Sequence, residues 1–158
     1  MKKTLSIFTA LLIISSVVVA YALDIAALDK VSVSMSREKV LTILGAPAEK
    51  TAMANGLVAE IYFIQNALPL IHAGCIYDQK KNLVGQSFVF QGNTGIEILD
   101  RLKNHGYVPL QQEGSSLRLA GFDDDTGQPV VVAIEHHENL TTITIFEKSF
   151  CESRVKIP

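Results

Sequence analysis

Hydrophobic residues recur at helical spacing in one short stretch near the start of the chain, with start and stop signals on either side. Ser36 stands before the stretch, where its hydroxyl can accept from the free amides of a first helical turn. Gly45 and Pro47 follow it; glycine tolerates the positive φ that ends a helix, and proline prevents the helix from resuming. The apolar stripe consists of Val40, Leu41 and Leu44. The pattern predicts a helix over 36–44.

Four segments rich in apolar residues follow, separated by turn residues, and they predict strands. Asn55-Gly56, the strongest two-residue hairpin signal, joins the first two strands. Glu60 lies on the second strand, and we expect the face that it shares with Tyr62 and Ile64 to be the less buried one. The predicted strands of this half are 48–54, 57–64, 71–77 and 83–90, and a short helix over 23–30 precedes the whole set.

The same order of elements then begins again. Thr94-x-x-Glu97 has the form of a capping box, in which each of the two side chains bonds the other residue's backbone amide. Gly106 ends the predicted helix. Four further strands are predicted at 107–112, 116–122, 129–136 and 140–148, followed by a tail over 149–158.

Corresponding features of the two halves are separated by a constant interval of 58 residues. The pairs at this interval are Ser36 and Thr94, Gly56 and Gly114, and Leu83 and Thr141. A fixed period indicates a structural repeat, although ordinary helices and hairpins can also produce it by chance. The predicted fold class is α+β, with helices packed on one face of an antiparallel sheet in two tandem helix-plus-four-strand modules, over 23–91 and 92–158.

The first 22 residues have the pattern of a secretory signal peptide. Lys2 and Lys3 provide the positive start, 5–19 carries no charge and is mostly apolar, and 20–22 (Ala-Tyr-Ala) is a small-x-small cleavage site. A membrane anchor is the alternative, but the apolar run is short for a spanning helix of about 20 residues. We therefore expect cleavage after the Ala-Tyr-Ala site and a periplasmic or secreted protein.

The composition of the exported part limits its partners. Cleavage would leave 136 of the 158 residues, which suits one domain or two very small modules. These residues include 12 Lys and Arg against 16 Asp and Glu, a net charge of −4, and no basic run, so nucleic acid is not an expected partner. We expect neither a membrane span nor lipidation, because no second long apolar stretch occurs and no cysteine follows the signal peptide directly.

Two cysteines, Cys75 and Cys151, lie in the exported part. An even number of cysteines in an exported protein favours a disulfide, so we expect a bridge between them. Two buried free thiols are the alternative. A catalytic thiol pair is less favoured, because no Cys-x-x-Cys motif occurs.

Few residues have the spacing of a catalytic or metal site. His136 and His137 are adjacent on a predicted strand, so their rings point to opposite faces and one metal ion cannot easily bind both. The acidic run 123–125 resembles a calcium loop only in part, because Ile134 stands where an EF-hand has its distal glutamate. A solvated hairpin turn is the favoured interpretation. We expect no enzyme activity, no cofactor and no metal site.

The first half resembles a known family. Ser34-Met35-Ser36, the helix end Leu44-Gly45-x-Pro47 and Ile61-Tyr62 in the following hairpin are similar to the SmpA/OmlA (BamE-like) domain of outer-membrane assembly lipoproteins, over about 24–90. The resemblance implies two helices packed on an antiparallel sheet, an envelope location and a non-enzymatic binding role. The tandem arrangement resembles the β-lactamase-inhibitor-protein architecture. Ser34 stands where the family usually has glycine, and the family's lipid-bearing cysteine is missing.

These observations predict a non-enzymatic protein-binding module that acts in envelope assembly or maintenance, with another cell-envelope protein as its partner. The alternative is an inhibitor or immunity-type protein that blocks a hydrolase through an acidic loop. The candidate contact residues are Tyr62, Phe88, Asp123, Asp124 and Asp125. For the aromatic residues, a place in the core beneath the helix is the competing interpretation, and it is favoured for most of them.

Overall fold

The structure of the protein is a computed structural model that describes residues 25–110 and 116–155. The expected signal peptide lies outside these residues. The described helices are α1 (Ile25–Leu28), α2 (Arg37–Leu44), α3 (Gly95–Asn104) and α4 (Lys148–Val155). The described strands are β1 (Glu49–Ala52), β2 (Val58–Phe63), β3 (Leu70–Tyr77), β4 (Leu83–Gln91), β5 (Val108–Pro109), β6 (Leu117–Phe122), β7 (Pro129–His137) and β8 (Leu140–Glu147). None of the described helices is long and apolar enough to cross a lipid bilayer.

The eight described strands form a single antiparallel sheet with the order β1-β2-β3-β4-β8-β7-β6-β5. Each group of four consecutive strands therefore forms a meander. The two meanders meet at the centre of the sheet, where β4 and β8 are in register from Gly85 and Phe146 to Gln91 and Leu140. The α+β class and the antiparallel sheet that the sequence predicts are confirmed.

Three helices pack on one face of the sheet, which we call the helix-covered face. Val40 and Leu44 of α2 pack with Leu83 of β4 in one apolar cluster, together with Leu28 of α1. A second cluster lies beneath α3 and contains Ile98, Leu99, Leu102, Leu119, Val132, Ile134 and Ile143. Each fully buried Val or Leu side chain contributes about 1.5–3 kcal/mol, so these clusters hold the helices on the sheet.

The C-terminal segment predicted as a tail forms helix α4, which packs on the opposite face. Phe150 of α4 stacks on Phe146 of β8, with ring centroids 5.9 Å apart. Ile145 packs in the cluster beneath α3, so its neighbour Phe146 points to the other face, because successive strand side chains alternate. The expectation that the helices lie on one face holds for α1 to α3 and needs correction for α4. The sequence of this segment has no apolar stripe that would predict a helix, and its position on the sheet depends on the contact between Phe150 and Phe146.

The two predicted helix caps have different outcomes. The Ser36 hydroxyl accepts from a first-turn amide at 3.4 Å, which confirms Ser36 as the N-cap of α2. Thr94 makes no side-chain bond to α3, so the predicted capping box is wrong. The Thr94 amide donates instead to Thr141 Oγ1 (3.1 Å), and the Glu97 carboxylate pairs with Arg101 (2.7 Å). The contact with β8 accompanies a Thr94 backbone at φ −95° and ψ 0°, outside the extended conformation of a cap.

The two cysteines are free thiols in the structure, which corrects the expected disulfide. Cys75 is buried in the apolar cluster on the helix-covered face. Cys151 belongs to α4, where its neighbour Phe150 stacks on the opposite face. The Cys75 side chain lies on the helix-covered face and α4 packs on the opposite face, so the sheet lies between the Cys75 thiol and α4.

Candidate interaction surface

The face opposite α1 to α3 carries an area that these three helices leave uncovered, on the same face as α4. Its side chains stand in two rows across β2, β3, β4, β8 and β7, and each is half-buried or exposed. The rows are Ile61, Gly74, Ser87, Thr144 and Ala133, and then Phe63, His72, Val89, Thr142 and Glu135. We call these ten residues the open patch.

Burial alternates along the strands that cross the open patch. Tyr62 is 3% exposed, whereas Phe63 beside it is 38% exposed. On β3, Ala73 is buried between the half-buried His72 and Gly74. This alternation is typical of an antiparallel sheet with helices on one face. A partner could therefore contact the open patch without displacing α1, α2 or α3.

The open patch combines apolar, small and polar groups. Five strands at a spacing of about 4.8 Å make it about 19 Å wide between the axes of β2 and β7. Phe63 and His72 pack together at one side, with ring centroids 5.0 Å apart. Gly74, which has no side chain, and the small Ser87 are next to each other in the middle, and the exposed Glu135 lies at the far side. An apolar area with a polar margin suits protein recognition.

The two aromatic candidates from the sequence lie elsewhere. Tyr62 is buried on the helix-covered face, and Phe88 is half-buried against the same apolar cluster. Both side chains belong to the core, so a partner cannot contact Tyr62 in the folded protein. Their strand neighbours on the other face, such as Phe63 and Val89, replace them as candidate contacts. The sequence could not distinguish the two sets, because both faces of these strands are rich in apolar residues.

The three aspartates predicted as a contact loop connect β6 and β7. Asp123 Oδ1 accepts from the amides of Asp125 (3.2 Å) and Thr126 (2.8 Å) and from the Thr126 hydroxyl (2.7 Å). Asp125 Oδ2 accepts from the buried Ser32 hydroxyl at 3.4 Å. Two of the three carboxylates therefore stabilise the loop and attach it to the segment between α1 and α2, while Asp124 is exposed.

The β5 edge of the sheet is poorly suited to binding another strand. The Leu110 amide donates inward to the Arg118 carbonyl at 2.8 Å. Amides alternate in direction along a strand, so the Pro109 nitrogen faces outward, where proline has no hydrogen to donate. This arrangement limits strand addition at the β5 edge of the sheet.

A cleft of about 420 Å³ lies where the β3–β4 turn approaches the start of α4. Its lining includes Asp78, Lys80 and Glu147. The Glu147 carboxylate accepts from the hydroxyls of Ser34 (3.3 Å) and Ser149 (2.6 Å). These bonds use both of its oxygens within the protein, so the cleft is a weaker candidate for a binding site than the open patch.

A charged pair lies beneath α2, and it corrects the expectation that Glu60 is on the less buried face. Glu60 is 0% exposed on the helix-covered face. Its Oε1 accepts from Arg37 Nε (2.7 Å) and Nη2 (2.6 Å). The hydrogen bond with Glu60 raises the pKa of Arg37. The ion pair allows a carboxylate to be buried where apolar residues surround it, because a buried charge needs a partner.

Burial also raises the pKa of three groups next to this ion pair. The pKa of the Cys75 thiol is about 12, so the thiol stays protonated and unreactive at neutral pH. The pKa values of the Tyr62 and Tyr77 hydroxyls are raised above their ordinary value, mainly by burial. Such shifts are expected for groups in a core and give no support to a catalytic thiol.

Among the described residues, no group of three or more His, Cys, Asp and Glu side chains is placed to hold a metal ion. His136 Nδ1 lies 3.4 Å from Thr141 Oγ1, on the strand pair β7–β8.

The chain was compared with known proteins, and no family model, curated protein or solved structure matches it. The geometry of the open patch is therefore the basis for any functional proposal.

Proposed function

We propose that the protein is an exported, non-enzymatic binding module of the cell envelope, and that its open patch binds another envelope protein. The observation that carries the proposal is the contrast between the two faces of the sheet. Helices α1 to α3 pack on one face, whereas on the other face Phe63 is exposed and Ile61 and Val89 are half-buried. Accessible apolar groups on a rigid sheet favour association with another protein.

The chemistry of the patch favours a folded partner that presents an apolar loop or surface. Gly74 has no side chain and those of Ser87 and Thr144 are short, which leaves room for a partner side chain between the larger residues. His72 and Glu135 can form hydrogen bonds at the margin. Binding would depend on shape complementarity and would change no covalent bond, in keeping with the non-enzymatic role that the sequence resemblance implies.

We also propose that the fold is a tandem repeat of two helix-plus-four-strand modules, over 23–91 and 92–158. Helices α2 and α3 begin 58 residues apart, and each is followed by a four-stranded meander. The order of elements in each half supports a relationship to the SmpA/OmlA domain and, for the pair, to the β-lactamase-inhibitor-protein architecture. An inhibitor role would use the open patch, because Asp123 and Asp125 form bonds within the protein.

A site-specific crosslinking experiment tests the proposed surface. A photoreactive amino acid would replace Phe63 in the open patch, and in a matched control it would replace Ile96, which is 71% exposed on α3. Irradiation in intact cells should give one defined crosslinked product from position 63 and none of that size from position 96. Combining Ile61→Lys with the photoreactive residue at position 63 should remove the product, because a charge would enter the apolar part of the patch.

The result would oppose the proposal if both positions gave the same products, or if Ile61→Lys left the product unchanged in a protein with normal circular dichroism. Location is tested separately by fractionation and N-terminal sequencing of the purified protein. We expect a periplasmic or secreted chain that begins at Leu23. A chain that remains in the cytoplasm with its first residues intact would contradict the export part of the proposal.

A further inference from the structure

The two edges of the sheet differ in the backbone groups that they present to another chain. At the β5 edge, the residue whose nitrogen faces outward is Pro109, which has no hydrogen to donate. The β1 edge has no proline over 48–56. Every residue in that range is exposed, so no described element covers this edge. Unpaired backbone groups along an accessible edge strand can pair with a strand of another chain.

The hydrogen bonds at the β1–β2 hairpin show which backbone groups of β1 face outward. The Met53 amide donates to the Leu57 carbonyl at 2.8 Å, towards β2. Because backbone groups alternate in direction along a strand, those of Thr51 face β2 as well, and those of Lys50 and Ala52 face away from the sheet. Each of these two residues carries one backbone donor and one acceptor, so the edge can form hydrogen bonds at both positions.

A second copy of the chain can pair with all of these outward groups. If the two β1 strands run antiparallel with Thr51 opposite its counterpart, Lys50 of each copy lies opposite Ala52 of the other. These partners then exchange amide-to-carbonyl bonds in both directions. Sliding one strand by two residues would instead place Lys50 opposite Lys50, where like charges repel, or would bring Ala54 of the following turn into the pairing. The register centred on Thr51 is therefore the one that β1 favours.

We propose that the protein forms a symmetric dimer in which the β1 edges of two copies pair around Thr51 and join their sheets into one. The side chains suit this pairing, because a cross-strand Thr–Thr pair is favourable and Glu49 lies opposite the exposed, uncharged Met53. The two-fold axis is perpendicular to the sheet, so the open patches of both copies lie on the same face. The proposal depends on the β1 edge alone and does not require the proposed function of the open patch.

Cysteine crosslinking tests the register. Thr51→Cys in a Cys151→Ala background should form a disulfide between copies under mild oxidation, because non-hydrogen-bonded partners have Cα atoms about 4.5 Å apart, within the range of a disulfide. Glu49→Cys is the matched control, since it lies on the same face of β1 but roughly 14 Å along the strand from its counterpart. Cys75 is buried and stays in both variants. Equal crosslinking of the two variants, or none from a Thr51→Cys protein with normal circular dichroism, would overturn the proposal.

Analytical ultracentrifugation of the purified protein over a concentration series gives a second measurement. We expect the mass to rise with concentration to twice that of one chain. Ala52→Pro should weaken this association by about tenfold or more, because it removes an outward amide from each copy and leaves the bonds to β2 in place. Ala52→Thr is the matched control, because it keeps the amide and should still dimerise. A monomer at every concentration, or unchanged association in a folded Ala52→Pro protein, would also refute the dimer.

Discussion

Glu60 is a fully buried carboxylate whose charge is balanced by the Arg37 guanidinium. The two side chains differ in environment, since Arg37 is 27% exposed and Glu60 is 0% exposed. Arg37 can therefore reach water if its partner is lost, while Glu60 cannot. Loss of Arg37 would therefore leave a charge that water cannot reach, whereas loss of Glu60 would leave a guanidinium that can turn towards solvent.

Replacing Arg37 should be more damaging than replacing Glu60. Arg37→Met leaves an uncompensated buried carboxylate, and we expect a loss of about 3–5 kcal/mol in the free energy of unfolding. Glu60→Gln should cost less, and Arg37→Met/Glu60→Leu should recover most of the loss because no charge remains. Urea unfolding at neutral pH measures all three variants. The exposed pair Glu97–Arg101 is the matched control, and Arg101→Met should have a much smaller effect; equal effects at the two pairs would contradict this account.

The Cys75 thiol should make the folded protein less stable at alkaline pH. Its pKa is raised from 9.0 to about 12 by burial. The unfolded chain therefore loses its thiol proton at lower pH than the folded chain, and the stability that this thiol contributes is complete below pH 9 and declines as the pH rises towards 12. The free energy of unfolding, measured with urea at several pH values, should therefore fall less steeply with rising pH in Cys75→Ala. Cys151→Ala is the comparison, and we expect a smaller change because Cys151 is only half-buried; equal slopes for all three proteins would refute the prediction.

At the scale of elements, the lack of a side chain at Gly85 of β4 allows the Phe146 ring of β8 to pack closely against β4. An added Cβ at Gly85 would lie 2.6 Å from the Phe146 ring, which packs over β4 on the face where α4 lies. At Gly74 on β3, the nearest atom to an added Cβ would be 3.5 Å away, an ordinary contact. Phe146 also stacks on Phe150, so the glycine at position 85 supports the packing of α4 on the sheet.

These two glycines give a matched pair of substitutions. Gly85→Ala should lower the free energy of unfolding by about 1–3 kcal/mol, because the Phe146 ring must shift in a packed environment. Gly74→Ala should have little effect or a small stabilising one, because the methyl group fits and the unfolded chain loses flexibility. Thermal unfolding followed by circular dichroism provides the measurement. If Gly74→Ala lowered the free energy of unfolding more than Gly85→Ala, the contact with Phe146 would not be what excludes a side chain at position 85.

At the scale of the whole molecule, the sheet is continuous across the two halves of the chain. Strands β4 and β8 pair along seven residues of each strand. Gln86 of β4 donates to the Val31 carbonyl at 2.8 Å, and Ser32 next to it donates to Asp125 in the second half. The segment between α1 and α2 therefore connects the first meander to the β6–β7 loop. These contacts favour unfolding of the two halves as one unit.

We expect a single cooperative unfolding transition. Leu83 and Leu119 are both 0% exposed and lie in separate apolar clusters, one in each half. Leu83→Ala and Leu119→Ala should each lower the stability by about 2–5 kcal/mol and shift the same transition. Coincident urea curves from circular dichroism and from Cys75 thiol exposure would support one unit. Two transitions, each shifted by only one substitution, would show independent modules.

The sequence was informative where structure depends on local physics. The 36–44 helix follows from an apolar stripe between a serine cap and a glycine stop, and α2 occupies Arg37–Leu44. The hairpin at Asn55-Gly56 follows from the ease with which these residues adopt positive φ, and both do so (64° and 74°). The strands were predicted in the right order because turn residues divide the chain into short segments that are rich in apolar residues.

Tertiary structure alone decided the face on which each residue lies and what each face contacts. Apolar residues occupy both sides of β2 and β3, so alternation could not indicate that Glu60 and Tyr62 are buried while Ile61 is half-buried and Phe63 is exposed. The separation of Cys75 from Cys151, the pairing of β4 with β8 and the position of α4 all depend on contacts between distant parts of the chain. The sequence by itself determined the elements and their order, because caps, turns and periodicity are local. The open patch arises only when the helices pack on one side of the assembled sheet, because that placement depends on packing across the whole molecule.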